Sequence, residues 1–392
     1  MKILQINKFL YPHGGAETYL LNLSRLLEQN GHEVIYFSQK ISKNIPCSQE
    51  KYFLSNLELD KFHWKTLWRL GRIFWSFEAS RKIKKLIDQE KPDIVHIHNI
   101  YHQISPSILH VIKRAGIPIV MTAHDYKLIR PDYILRADGK KVKPKDSTLV
   151  QILLSAEFYF HRIINVYSKN IKLFLTPSKF LKDKLIKKDY LSVEAVPLFI
   201  DLADYPEFET DRISPYIIFF GRLHESKGAD VLINALAKVR NKDIKLKLAG
   251  AGPEEDGLKA LADELKISDR VEFTGHKSKK ELIELIGKSM FAVVPSRFHE
   301  TFGLSVLESF ACGKPVIATR AGAVPELINE NNGILFEVDN VKELSLAIDK
   351  ILDDPILLEK MSQEGKKTAQ EFSPEKHYQK INEIYNEAVR NK

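Results

Sequence analysis

Residues 215–239 read PYIIFFGRLHESKGADVLINALAKV. Tyr216–Phe220 is a strand-sized apolar run. Gly221 to Gly228 forms a turn rich in charge and glycine, and a helical stretch over 227–239 follows. A strand that empties through such a turn into a helix is the repeating element of α/β proteins with parallel sheets. The pattern continues on both sides. Downstream, strands are predicted at 244–249, 270–274, 290–294, 315–319 and 333–336. Helices are predicted at 254–266, 278–287, 302–312, 323–329, 340–352, 355–371 and 374–390. Upstream, strands fall at 2–7, 33–38, 93–98, 117–123, 171–176 and 193–198. The upstream helices are 16–29, 64–88, 104–115, 149–168 and 178–188.

A chain of 392 residues is long for one core and comfortable for two. The stretch 199–215 is rich in Pro, Asp and Glu and lacks either periodicity, so it reads as a linker. About six strands lie on each side of it, enough for one doubly wound sheet each. Ligands of such sheets bind outside the carboxyl ends of the strands. Charge divides along the same line. Residues 1–200 hold 32 Lys and Arg against 18 Asp and Glu, and the remainder hold 27 against 33. A basic surface suits anionic head groups or phosphorylated substrates, although lysines on solvated helix faces give the same count. The basic residues are dispersed and match no recognised nucleic-acid module, so no nucleic-acid partner is expected.

Hydrophobic content of 44% and charged content of 28% fit a folded globular protein. No apolar run reaches the ~20 residues of a membrane-spanning helix. MKILQINKFLYP reads as a first strand and not as a secretory signal. Cys47 and Cys312 have no metal-type spacing, which points to a reduced, cytoplasmic setting.

The chemistry-bearing residues cluster at predicted strand ends. After the strand at 290–294 come Glu300 and Glu308, eight residues apart, the first in the turn and the second two turns into a helix. A helix starting near Phe302 would direct the amides of Phe302, Gly303 and Leu304 out of its N-terminus, where an anion is favoured. Two carboxylates around such a turn can accept hydrogen bonds from polyol hydroxyls. After Tyr216–Phe220 come Arg222 and Lys227, a planar donor fork and a point charge suited to a diphosphate. Gly250-Ala-Gly252 and Gly275-His276 add two further turns on the same sheet edge. In the first half, Gly14-Gly15 follows the first strand, His98 ends the third, and His124-Asp125 ends the fourth. His98 closes a buried strand, where a histidine is commonly a satisfied core residue. Asp125 could orient His124 or accept from substrate. Taken singly, Arg222, Lys227 and Glu308 are the charges of any solvated face, and the glycines those of any turn; the ordered set is what informs.

That set, with Pro295-Ser296 through Pro315-Val-Ile317 to Pro325-Glu326-Leu-Ile328, resembles glycosyltransferase family 4, the retaining GT-B family. The likeness covers almost the whole chain and is densest over 216–336. It implies a GT-B fold of two Rossmann-like doubly wound domains facing across a cleft. The acceptor-side domain would be 1–198, the linker 199–215 and the nucleotide-sugar domain 216–373, with the helix at 374–392 packing back on the first domain. By the same resemblance, Arg222 and Lys227 bind the donor diphosphate, Glu308 the ribose and Glu300 the donor sugar. The amides of Phe302 to Leu304 assist Glu300, and Gly15 places an amide near the phosphates. Gly252 belongs to the donor-binding turns, and His124 lies beside sugar and acceptor. The donor would be a UDP-, GDP- or ADP-sugar and the acceptor a glycan or lipid-linked hydroxyl, in cell-surface polysaccharide or glycolipid synthesis. No Asp-x-Asp occurs, so no divalent metal or other cofactor is expected, and cations and helix ends would do a metal's work.

Trp64, Trp68 and Trp75 would share one helix face, within about 40° at 100° per residue. With the lysines and arginines around them they read either as core or as a peripheral contact with anionic membrane, at its cytoplasmic face. Among other functions, a dinucleotide oxidoreductase fails: the first turn is His-Gly-Gly-Ala-Glu and the second strand ends in Gln39, not in an acid. A sugar-nucleotide epimerase or a phosphorylase of the same fold remains an alternative, as does a non-catalytic sugar-nucleotide-binding scaffold.

Overall fold

Twelve strands form two six-stranded, wholly parallel sheets among the residues that the computed structural model describes, which are 1–56, 71–140, 148–206, 208 and 215–391. The first sheet holds β1 (Lys2–Ile6), β2 (Glu33–Phe37), β3 (Ile94–Ile97), β4 (Ile119–Thr122), β5 (Leu173–Thr176) and β6 (Val193–Ala195), in the order β2-β1-β3-β4-β5-β6. The second holds β7 (Tyr216–Phe220), β8 (Lys245–Ala249), β9 (Val271–Gly275), β10 (Ala292–Val294), β11 (Val316–Thr319) and β12 (Gly333–Phe336), in the order β12-β11-β10-β7-β8-β9. Strand order reverses between β1 and β3 in one sheet and between β7 and β10 in the other. Those are the two switch points, where a crevice opens beyond the strand ends.

The chain divides into two compact units. The first comprises Met1–Ile134, Val142–Pro197 and His377–Lys392, the second Leu135–Lys141 and Leu198–Lys376. In the second, Ile217, Phe219, Leu246, Leu248, Val293 and Ile317 of the sheet bury against Leu232, Leu236, Leu344 and Ile348 of two helices, Ala229–Lys238 and Val341–Asp353. Each such side chain contributes about 1.5–3 kcal/mol on leaving water. Helix starts are fixed locally. Ser278 and Glu281 form a capping box, and Asp354 caps the helix that opens at Pro355. The last helix, Pro374–Arg390, buries His377, Ile381, Ile384, Tyr385 and Ala388 at helical spacing.

Several expectations change. The segment 135–141, predicted within the first domain, joins the second unit. The stretch predicted as a linker is not free of structure: Phe199, Ile200 and Tyr205 are buried, and Ile200 N donates to Phe372 O at 2.9 Å. The helix predicted at 149–168 is two, Thr148–Ile163 and Val166–Asn170, broken at Asn165 with φ of 57°. Val324–Glu326 is a single 3-10 turn where a helix over 323–329 was expected. Of the helix predicted at 64–88, Trp64 and Trp68 lie outside the described residues. Trp75 ends a short helix at Gly71–Phe74, and Ser76 caps a new one, Phe77–Glu90, by accepting from Ala79 N. Among the described residues no helix is long and apolar enough to cross a membrane.

Candidate functional site

In the second unit the loops after β7, β8, β10 and β11 lock into one another. Leu223 N donates to Ala251 O at 3.0 Å, and Gly250 N to Gly275 O at 2.9 Å. A Cβ on Gly250 would stand 1.9 Å from Gly221 O, and one on Gly252 would stand 2.0 Å from Leu223 O. These two glycines are therefore required by loop stacking. Glu225–Lys227 is one 3-10 turn, closed by Gly228 in the left-handed region at φ of 69°. A Cβ there would sit 2.0 Å from Pro295 O, so the turn lies against the end of β10. Because β7 and β10 are neighbours, Lys227 and Glu300 meet at the switch point. Lys227 Nζ is 2.8 Å from Glu300 Oε1, which also accepts from Ser296 Oγ at 2.7 Å. Lys227 Nζ lies 4.5 Å from the Phe298 ring centre. Arg222 is exposed and has no ion pair with any described residue.

Arg297 binds this turn to its surroundings. Its guanidinium bridges both oxygens of Asp230 at 2.7 and 2.5 Å and reaches Asp339 at 2.5 Å, while its amide donates to Ser226 O at 2.8 Å. The segment 135–140 adds a second brace: His299 N donates to Leu135 O and Ala137 N to Arg297 O, each at 2.8 Å. Arg136 Nη1 donates to Glu225 Oε1 at 3.1 Å, and Arg136 also pairs with Asp138. The hydrogen bonds from Arg136 hold the Asp138 carboxyl down to about 2. From the other side Ala323 N donates to Glu300 O at 2.9 Å, and Gly322 N to His299 Nδ1 at 2.8 Å.

The helix bearing Glu308 runs Leu304–Ala311, with Gly303 as its N-cap at φ of 114°. This corrects the expected start near Phe302. A left-handed residue at 303 keeps the chain out of helix until Leu304, so the amides at its start without an intrahelical acceptor are those of Gly303, Leu304 and Ser305. Phe302 instead buries its ring on Phe372, centroids 5.8 Å apart. Glu308 is half-buried, and burial pushes its carboxyl up to about 7, with Lys279 offsetting part of the effect.

The first unit presents a separate group at its own switch point. Asn7, just past β1, donates to Glu17 Oε1 at 3.2 Å and accepts from Asn99 N at 2.9 Å, joining the ends of β1 and β3 to the helix Gly15–Gln29. Gly14 is the extended N-cap of that helix, and both Gly14 and Gly15 are exposed. His98 takes the core place common for a histidine that closes a buried strand: it is fully buried, donating to Gln5 Oε1 at 2.8 Å and lying 2.9 Å from His124 Nε2. His124 is half-buried, and burial first, then Lys8, holds its ring down to about 3. Asp125 accepts from Tyr101 Oη at 2.9 Å and from Lys127 N at 2.8 Å, and burial raises its carboxyl. A cavity of about 500 Å³ opens elsewhere in this unit, around the buried Lys127–Glu157 pair with Arg162, Tyr167 and Lys188. It is lined by none of the residues predicted from sequence.

Sequence reasoning missed Ser296, Arg297, His299, Gln5 and the brace at 135–140. Ser296 lies beside a quoted proline, but nothing local marks Arg297, because its partners are 67 and 42 residues away.

Comparison with known proteins bears on the same two halves. Residues 13–204 match the family described as Glycosyltransferase Family 4, and residues 206–368 match Glycosyl transferases group 1. An uncharacterized glycosyltransferase of Methanocaldococcus jannaschii is 26% identical, over 99% of this chain and 98% of its own. Sucrose-phosphate synthase of Thermosynechococcus elongatus has the same fold, with a TM-score of 0.76 at 19% identity over the full length of both chains. HepE of Anabaena, solved in complex with UDP, has a TM-score of 0.69 at 19% identity, covering 99% of this chain and 100% of that one. Two family matches that together run almost end to end, on paired six-stranded parallel sheets, place the chain among the GT-B glycosyltransferases of group 1, family 4.

Proposed function

We propose that this enzyme transfers a sugar, with retention of anomeric configuration, from a nucleoside diphosphate sugar to a hydroxyl of a glycan or lipid-linked acceptor. The observation that carries the reading is the switch point of the second unit, where Lys227, Glu300 and the start of the helix bearing Glu308 are assembled by interlocked loops. Arg222 and Lys227 neutralise the departing diphosphate, which a cation pair can do without a metal. Glu308 accepts from the ribose diol. Glu300 accepts from sugar hydroxyls, while the amides of Leu304 and Ser305 offer donors at the positive end of the helix. In the first unit, Gly15 supplies an amide and His124 a ring that meets the sugar or the acceptor. The structure of the Anabaena relative with UDP supports a nucleotide-sugar donor. The excess of Lys and Arg over residues 1–200 favours an anionic acceptor or its membrane, and cell-surface glycan assembly at the cytoplasmic face is the setting that fits.

Thermal-shift and donor-hydrolysis measurements across UDP-, GDP- and ADP-sugars test the reading. One nucleotide series should raise the melting temperature and be consumed, and NMR of the product should show the donor's anomeric configuration. Consumption of donor with epimerised sugar and no transfer would instead establish the epimerase. Binding without turnover for any acceptor would establish the scaffold.

A further inference from the structure

A buried chain of polar groups stands behind His124. Gln5, in the middle of β1, places Oε1 2.8 Å from His98 Nε2, and His98 Nδ1 lies 2.9 Å from His124 Nε2. The two rings stack, centroids 5.2 Å apart and 22° from parallel. A carbonyl oxygen only accepts, so the proton of His98 is on Nε2. Burial, with His96 and His124 beside it, holds His98 well below the ordinary histidine range. Its ring is neutral, and Nδ1 can only accept. His124 must then donate from Nε2.

We propose that Gln5 and His98 are positioning residues that fix His124 as its Nε2–H tautomer, which makes Nδ1 the nitrogen with which the ring accepts. A second observation supports this direction. Gln5 is also the side chain that favours the ionised form of the buried Tyr385 hydroxyl, the effect of an amide N–H directed at it. With its NH2 side toward Tyr385, the amide presents its carbonyl to His98. Around His124 stand Lys8 after β1, Tyr19 of the following helix with His377 behind it, and His96 on β3. The neighbouring carboxylate, Asp125, accepts from Tyr101 and Lys127. The inference rests on the transferase reading only in giving His124 a substrate; the tautomer belongs to the free protein.

The test is nitrogen-15 NMR of the imidazoles in the full chain between pH 5.5 and 8. His124 should show a protonated Nε2, an unprotonated Nδ1 and no titration in that range. A proton on Nδ1, or titration near the ordinary histidine value, overturns the proposal. Gln5→Met should scramble the tautomer and lower kcat about ten- to a hundred-fold with little change in donor KM, as is typical when an outer partner of a working imidazole is lost. Gln5→Glu, which keeps an acceptor, should restore much of the rate. An unchanged rate in a Gln5→Met protein whose tautomer is lost overturns the proposal. If Gln5→Met does not fold, the spectrum of the unaltered protein decides alone. Normal turnover by His124→Ala would remove the substrate contact, and with it the transferase role of that ring, while leaving the measured tautomer in place.

Discussion

Lys227 Nζ and Glu300 Oε1 are 2.8 Å apart, so the cation assigned to the diphosphate and the carboxylate assigned to the sugar are partners before any donor arrives. Both side chains keep some exposure, and a pair of this kind adds no more than about 1 kcal/mol to stability. Its value lies in placement. Lys227→Ala should leave the melting temperature within a few degrees and weaken binding of the nucleoside diphosphate about ten- to a hundred-fold, the worth of a charge-assisted contact. Glu300→Gln should release Lys227 for phosphate: affinity for the nucleoside diphosphate is kept or improved, while kcat falls. Isothermal titration beside steady-state kinetics separates the two. Equal losses of affinity in both variants would contradict the division of roles.

Glu308 gives a pH dependence of known sign. Its carboxyl lies near 7 in the folded protein against an ordinary value of 4.5. A raised value means that the native state holds the proton through that window. The stability it represents is complete below the unfolded value and is lost as pH rises through 7. Glu308→Gln removes this dependence and should stabilise the free protein by about 1–3 kcal/mol at pH 8, a gain that shrinks by pH 5. Ionised Glu308 is the better acceptor for a ribose diol, so donor affinity should rise several-fold from pH 6 to 8 and be flat in Glu308→Gln. The diphosphate diester of the donor has no titration in that range, so its own charge does not confuse the measurement. Chemical denaturation and donor binding at both pH values check the two halves.

Those two acids were legible because both the strand before them and the helix around them are local patterns. Tyr216–Phe220 announces β7 by its unbroken apolar run, and Gly221 and Gly250 mark where the chain must turn. The helix begins two residues later than the sequence suggests, because a left-handed Gly303 before the helix and a Gly303 within its first turn read alike. What escaped was held by distance in the chain. Arg297 looks like any arginine after a strand until Asp230 and Asp339 are brought to it. Arg136 and Asp138 lie in a stretch of weak periodicity whose destination is set by backbone bonds to 297 and 299. From the sequence alone, His98 is a core residue or a ligand. It is a core residue whose hydrogen bond reaches the candidate site through His124, a third possibility that only the side-chain geometry separates.

Arg222 is exposed and without an ion pair among the described residues, so removing it leaves no buried charge behind. Arg222→Ala should fold and melt like the unaltered protein and cripple turnover, as should Glu308→Ala. With Arg222→Lys the charge returns without the planar fork, and recovery should be partial. Circular dichroism melts paired with turnover assays check this. Near-normal rates in both alanine variants would refute the roles given to them.

Arg297 should behave in the opposite way. Its guanidinium is shared by Asp230, Asp339 and the Glu225 carbonyl, and it is mostly shielded from water. Arg297→Met leaves two carboxylates and a carbonyl short of a donor at once, but both acids keep about a third of their surface in water, so the cost should be about 1–3 kcal/mol. Arg297→Lys can satisfy one acid but not the bidentate geometry, and should recover less than half of that. Because the same residue holds the Glu225–Lys227 turn against β10, loss of donor affinity should accompany loss of stability in both variants, and in the same rank order. Denaturation midpoints and nucleotide affinities measured on the same preparations test the link. An Arg297→Met protein that is destabilised yet binds donor normally would show that the turn keeps its place without the clamp.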